Sequence, residues 1–350
     1  MPAPAVSSAS RHQQAFHARW HGLRDAHVRA LAWLLDAPDL MDAHAACWEG
    51  RIVELGPMPD TVRQWLFALD AAPKELHAHL ARQPSARLGR YAEQLLGFYL
   101  AQRRQLVAAN LQVRNDSGAR DTLGEFDFLV RRPDVDAGSG LEHWEFATKF
   151  YLLEAANATT PMSADAFVGP NLADSLGRKM RKIMQRQLSL GQHPAATRVL
   201  PAPVVWAGAL VKGWLFYRAE VAVPDLPLPV VPGIAPDHCR GFWCELAQWP
   251  AVAAHHLAQA GQQAGSFLLL PRLAWLAPAC VPAGQLLALP QVMQALEDTL
   301  KENDAPVLVA MCGIDAADGE AVGVEVARGF VVPDGWRERA QQVRLAVDPV

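Results

Sequence analysis

Two short stretches place acidic side chains in an otherwise apolar setting. They are Gly124-Glu125-Phe126-Asp127-Phe128-Leu129-Val130 and His143-Trp144-Glu145-Phe146-Ala147-Thr148-Lys149-Phe150-Tyr151. As strands, the first puts Glu125, Asp127 and Leu129 on one face and Phe126, Phe128 and Val130 on the other. The second puts His143, Glu145, Ala147, Lys149 and Tyr151 on one face, opposite Trp144, Phe146, Thr148 and Phe150. The aromatic faces must pack. Carboxylates beside so much apolar surface are costly unless they are paired or bound to a cation. The intervening segment 132–141 holds Asp134, Asp136, Gly138 and Gly140, good turn chemistry, so the strands are expected to pair and bring Asp127 to Glu145. Two converging carboxylates with open positions suit Mg²⁺ or Mn²⁺. Such an ion polarises a phosphoryl oxygen and supplies hydroxide near neutral pH, and a neighbouring lysine stabilises developing negative charge. These residue types fit hydrolysis of a phosphodiester bond.

The elements that must position them follow from periodicity. A helix is expected over Leu88 to Leu100 and an extended segment through Asn110 to Arg114, so residues 88–190 read helix, strand, strand, strand, helix. In the last of these, residues 178–187 carry five basic and no acidic side chains. A helical wheel groups Arg178, Lys179, Lys182 and Arg186 on one side and Leu176, Met180, Ile183 and Met184 on the other. The basic side suits a phosphate backbone, or simply solvent. Gln187 falls on the packed side, where its amide needs a partner.

Upstream, 16–85 reads as a helical region behind a disordered tail at 1–15, and His12, His17, His21 and His27 read as surface residues. Downstream, 204–210 and 214–218 read as a hairpin. A Pro-rich stretch from 224 follows. Strands are then expected near 266–276, 306–312 and 322–332, with helices at 244–260 and 290–302. The division is an α/β core at 86–223 and an α+β region at 224–350. Trp206, Trp214, Trp243 and Trp275 read as core.

With 51% hydrophobic and 19% charged residues, the chain has the composition of a globular protein. A net charge of -4 gives no global basic field, so any DNA contact must rest on a local patch. Five cysteines without a CxxC pair point away from a disulfide framework or zinc site and towards a reducing, cytoplasmic setting. The N-terminus lacks the apolar run of a signal peptide. The longest apolar run, 199–211, is too short and proline-broken to span a membrane, so no membrane partner is expected.

The segment 88–152 resembles the core of the PD-(D/E)XK nuclease superfamily, most closely its Holliday-junction-resolvase-like branch. Gly89 and Glu93 match a Gly-x-x-x-Glu helix, and Asn110 and Arg114 match an Asn-x-x-x-Arg strand. Gly124, Glu125 and Asp127 match Gly-Glu-x-Asp, and Glu145 matches the acid of Glu-x-Lys. The whole chain is also similar to an uncharacterised bacterial domain-of-unknown-function family linked to that superfamily. Its signatures are Pro271-Arg272-Leu273-Ala274-Trp275-Leu276-Ala277-Pro278 and Arg328-Gly329-Phe330-Val331-Val332-Pro333.

The resemblance implies a restriction-endonuclease-like mixed sheet flanked by helices, and a Mg²⁺- or Mn²⁺-dependent nuclease acting on DNA. Asp127 and Glu145 would be the metal ligands, helped by the Phe146 carbonyl, with Glu93 a further acid of the site. Gln187 would face the site and Lys182 support the substrate. The sequence departs from the pattern at Ala147, where the superfamily has lysine. Lys149 stands two residues on, about 7 Å along the strand, and is the candidate replacement. The alternative is a nuclease-fold protein that binds nucleic acid or a protein partner without turnover.

Overall fold

The computed structural model describes residues 8–115, 122–131, 140–154, 162–219, 230–259, 266–315 and 321–347. Its helices are α1 (Ser8–Trp20), α2 (Ala26–Asp36), α3 (Asp60–Ala71), α4 (Lys74–Ala81), α5 (Leu88–Gln102), α6 (Leu176–Lys182), α7 (Trp249–Gln259), α8 (Leu289–Asn303) and α9 (Trp336–Val347). Its strands are β1 (Leu106–Arg114), β2 (Thr122–Val130), β3 (Leu141–Leu153), β4 (Phe167–Val168), β5 (Val204–Arg218), β6 (Cys239–Glu245), β7 (Ser266–Leu269), β8 (Cys280–Pro282), β9 (Val307–Asp315) and β10 (Val322–Val332). Among the described residues no helix is long and apolar enough to cross a membrane.

The strands build one mixed sheet in the order β1-β2-β3-β5-β6-β10-β9-β7, with β4 on β3 and β8 on β10. β1, β2 and β3 are antiparallel neighbours. The centre is parallel, β3 to β5 to β6 to β10. β9 and β7 close the far edge antiparallel. Strands from the expected core and from the C-terminal region thus share one sheet. α1 begins at Ser8, inside the stretch read as a tail, and buries Phe16 and Trp20.

Both faces of the central strands are covered, which is why they read as continuous apolar runs. One face packs Trp33, Leu95, Trp214, Phe216, Phe330 and Trp336 in a single core. The other packs Ala147, Val211 and Leu215 against Met180 and Ile183, and, further along the sheet, Val309 and Val331 against Trp249 and Leu296. Trp214, Trp243 and Trp275 are buried, as expected, and Trp206 is half-buried.

The hairpin expected at 204–218 is instead one fifteen-residue strand, parallel to β3 from Leu141↔Val204 to Leu152↔Phe216. Residues 211–213, between the two expected strands, make no turn. Lys212 is buried, its Nζ 2.7 Å from Asp39 Oδ1 and donating to the Ala37 carbonyl at 2.6 Å. Gly213 lies so close to β3 that a Cβ there would stand 1.9 Å from the Lys149 carbonyl oxygen. Only a residue without a side chain permits that approach.

A buried ion pair ties the ends of the chain together. Arg328 and Glu325, both fully buried, meet at 2.6 and 2.7 Å. Arg328 also donates to the Trp275 and Ala277 carbonyls and lies 4.2 Å from the Trp214 ring centroid. Glu325 accepts from the Ala279 N–H at 2.8 Å. From the N-terminal side, Arg29 donates to the Pro278 carbonyl at 2.9 Å. Two of the four histidines read as surface residues are drawn into this region. His17 Nε2 lies 3.1 Å from the Glu325 carbonyl, and the Trp33 indole donates to His12 at 3.2 Å. Burial, then the charge of Arg328, holds His12 down at about 3, and burial, then Arg29, holds His17 at about 4.

Removing one partner of such a pair strands the other charge. Glu325→Ala is expected to lower the unfolding free energy by about 3–5 kcal/mol in urea titrations. A loss under about 1 kcal/mol would show that Arg328 finds compensation elsewhere.

Candidate active site

The site forms where β2 leaves β3. The two strands pair only over Phe128↔Trp144, Leu129↔His143 and Val130↔Glu142. At the next residue Asp127 turns its carboxylate to β3, and Oδ2 accepts the Phe146 N–H at 2.9 Å. A side chain thereby takes over a bond that the ladder no longer supplies. The simple alternation expected for β2 breaks here. Phe126 packs with Leu129, and edge-on to His143 at 4.7 Å, whereas Phe128 and Val130 join the core on the opposite face. A strand residue directs its N–H and C=O to the same side, so the Phe146 carbonyl faces the Asp127 edge as well.

Glu145 is 2% exposed and close enough to Asp127 for its charge to raise that carboxyl. The Gln187 amide donates to its Oε1, and Lys179 Nζ lies 3.4 Å from Gln187 Oε1. Gln187 ends a π-helical turn, Ile183–Gln187, that runs directly on from α6. Such turns often occur at functional sites. The second oxygen of Glu145, Oε2, is buried without a hydrogen bond. His143, fully buried, places Nε2 3.6 Å from Oε2, and neither of its nitrogens is hydrogen-bonded.

Burial sets the titration of these groups. It pushes Asp127 up to about 7, reinforced by the charge of Glu145. It pushes Glu145 to about 7 against the pull of Lys179. With both acids raised, the pair holds protons to higher pH than two free carboxyls would. His143 is held down to about 4 by burial. Lys149 is lowered to about 8 by burial and then by Lys179.

The remaining expected residues divide. Glu93 is held by Arg90, 3.0 Å away, and the same guanidinium bonds Asn110 Oδ1. Burial, then the charge of Asp127, raises Glu93. Asn110 has φ 54° inside a strand, a conformation that asparagine tolerates better than most residues. Glu125 accepts from Gln112 at 3.3 Å, and Arg114 is exposed beside Gln112 at 3.4 Å, apart from the carboxylate pair. Of the basic group, Arg178, Lys182 and Arg186 are exposed, whereas Lys179 turns inward to Gln187. Lys149 Nζ lies 5.9 Å from the Tyr151 ring centroid. Ala147 is 6% exposed and packs in the apolar core with Met180 and Ile183. Sequence reasoning missed Arg90 and the inward turn of Lys179. The only signal for the first was its i,i+3 spacing to Glu93.

The family described as Domain of unknown function (DUF1853) matches residues 29–332. The chain belongs to the DUF1853 family. No curated protein and no solved structure matches it. The matched span runs from α2 to the end of β10 and contains every residue of this DUF1853 site.

Among the described residues no group of three or more histidine, cysteine or acidic side chains is placed to hold a metal ion. The carboxyls that could hold one at this site are Asp127 and Glu145, with the Phe146 carbonyl on the same edge. A hard divalent cation that keeps several waters fits two carboxylates. The unbonded Glu145 Oε2 is the atom it would satisfy.

Because both acids are raised, their contribution to stability is fully present below the ordinary values of 3.8 and 4.5 and is lost as pH rises through about 7. The contribution of this pair falls between about pH 4 and 7, while the buried, neutral His12, His17 and His143 contribute in the opposite sense, so the difference between wild type and variant isolates it. Asp127→Asn should flatten that fall by on the order of 2 kcal/mol in urea titrations at stepped pH. Superimposable wild-type and variant profiles would refute the raised pair.

Proposed function

We propose that this protein is a divalent-metal-dependent hydrolase of DNA phosphodiester bonds, with a restriction-endonuclease-like core of the PD-(D/E)XK type. The observation that carries this reading is the meeting of Asp127 and Glu145 at the fork between β2 and β3, braced by Gln187. Asp127 and Glu145 would hold Mg²⁺ or Mn²⁺, with the Phe146 carbonyl beside them. Bound there, the ion supplies Lewis acidity towards a phosphoryl oxygen and acidifies water. Gln187 fixes the Glu145 carboxylate through its amide. Lys149 and Lys179 bring positive charge to the edge of the site, where negative charge develops during phosphoryl displacement. Arg178, Lys182 and Arg186 face outward from the same helix, where a DNA backbone can be followed. Glu93, held by Arg90, adds negative charge behind Asp127.

One observation favours a second reading. Ala147 is packed in the apolar core, so the usual lysine position carries no charge. A protein that binds nucleic acid or a protein partner without turnover accommodates that.

Calorimetry with Mn²⁺ and cleavage assays on duplex, single-stranded and branched DNA separate the two. Wild type is expected to bind Mn²⁺ and cut. Asp127→Asn and Glu145→Gln should abolish binding and lower cleavage at least about a hundred-fold. Cleavage that persists in both variants sinks the metal reading. Absence of both Mn²⁺ binding and cleavage in wild type selects the non-catalytic one.

A further inference from the structure

The segment 271–278 stands far from β3 in sequence, yet its Arg272 and Trp275 help to wall a cavity against that strand. Between Glu145 and Tyr151, β3 has β5 on one side and, among the described residues, no strand pairing on the other. A cavity of about 320 Å³ opens against Thr148–Tyr151 of that edge. Three cations line it: Lys149 from the edge itself, Arg87 from the residue preceding α5, and Arg272 from the 271–278 segment. Arg87 and Arg272 are exposed, and neither has a carboxylate partner among the described residues. Arg272 is steadied by the Trp275 ring, 5.3 Å from its guanidinium carbon.

The cavity has one carboxylate, Asp174, which accepts the Tyr151 hydroxyl at 2.8 Å. Three cations against one anion leave a charge of about two positive, which matches a phosphate monoester at neutral pH better than a singly charged diester. Two further features favour an anion. The Thr148 hydroxyl is buried without a hydrogen-bond partner. The first turn of the fifteen-residue α5 opens onto the cavity at Leu88 and Gly89, and its preceding residue provides no side-chain cap. Two guanidiniums approaching from different elements suit the several oxygens of a phosphoryl group.

We infer that this cavity, walled by Arg87, Lys149 and Arg272, binds a phosphate monoester. The group is either the terminal phosphate of a polynucleotide or that of a free nucleotide. The inference goes beyond the hydrolase reading, since it requires an anion pocket and no turnover.

Fluorescence anisotropy in EDTA tests it without metal or cleavage. The probes are one labelled oligonucleotide with a 5′-phosphate, with a 3′-phosphate or with hydroxyl ends, and a mononucleotide as competitor. Wild type is expected to bind one phosphorylated form at least ten-fold more tightly than the hydroxyl form, or to bind the mononucleotide. The double substitution Arg87→Gln/Arg272→Gln should remove that preference or that binding. Which probe responds identifies the source of the phosphate. Equal binding of all three oligonucleotides, together with no competition by the mononucleotide, overturns the inference. A phosphate preference that survives the double substitution also overturns it. Asp127→Asn/Glu145→Gln should keep the preference, so loss of the proposed cleavage and loss of this pocket are read separately.

Discussion

A strand covered on both faces has no water to offer its polar side chains, and β3 is such a strand. Its ladder with β5 spans most of its length, and helices and loops close both faces. Each polar group on it must therefore find a partner inside the protein or carry a perturbed charge. Glu145 finds Gln187, and the Phe146 N–H finds Asp127. His143 finds nothing and is held neutral by burial. The same rule operates one strand over, where Lys212 reaches Asp39. Much of the polar chemistry of this protein follows from burying β3 and then opening one short length of its edge.

That edge stays open because the chain fastens itself elsewhere. Arg328 and Arg29 collect the carbonyls of 275–278 and join the first helices to the last long strand. With the 271–278 segment so fixed, Arg272 is presented beside Lys149. Burying one ion pair thus sets the position of a charged group on another wall of the fold. The two C-terminal sequence signatures, 271–278 and 328–333, are halves of one contact.

Sequence alone went far at the site and less far around it. The turn chemistry between the two strands suggested a hairpin that brings Asp127 near Glu145, but alternation alone did not show that Phe126 and Phe128 face opposite ways. The packed side of the wheel gave Gln187 a reason to find a partner. Lys179 was assigned outward with Arg178 and Lys182, because an ideal wheel cannot anticipate a partner amide on a π-turn. The stretch 204–218 reads as a hairpin rather than one strand because the contacts that keep Lys212 and Gly213 in a continuous strand are not local. Here the lysine meets Asp39 and the glycine admits a neighbouring backbone, contacts about 170 and 60 residues away in sequence. His12 and His17 read as surface because nothing local showed that β10 would cover them.

The π-turn at Ile183–Gln187 makes the site sensitive to chain length as well as to residue type. Each residue of an α-helix advances the side chains by about 100°. The wide turn lets Gln187 point at Glu145 while Met180 and Ile183 keep their places in the core. Losing a single residue from this turn would convert it to ordinary helix and swing the amide about a quarter-circle off the carboxylate, with every residue type of the site retained. A chain of this family one residue shorter at this point would keep the acids and lose their brace, a difference marked by a gap rather than by a substitution.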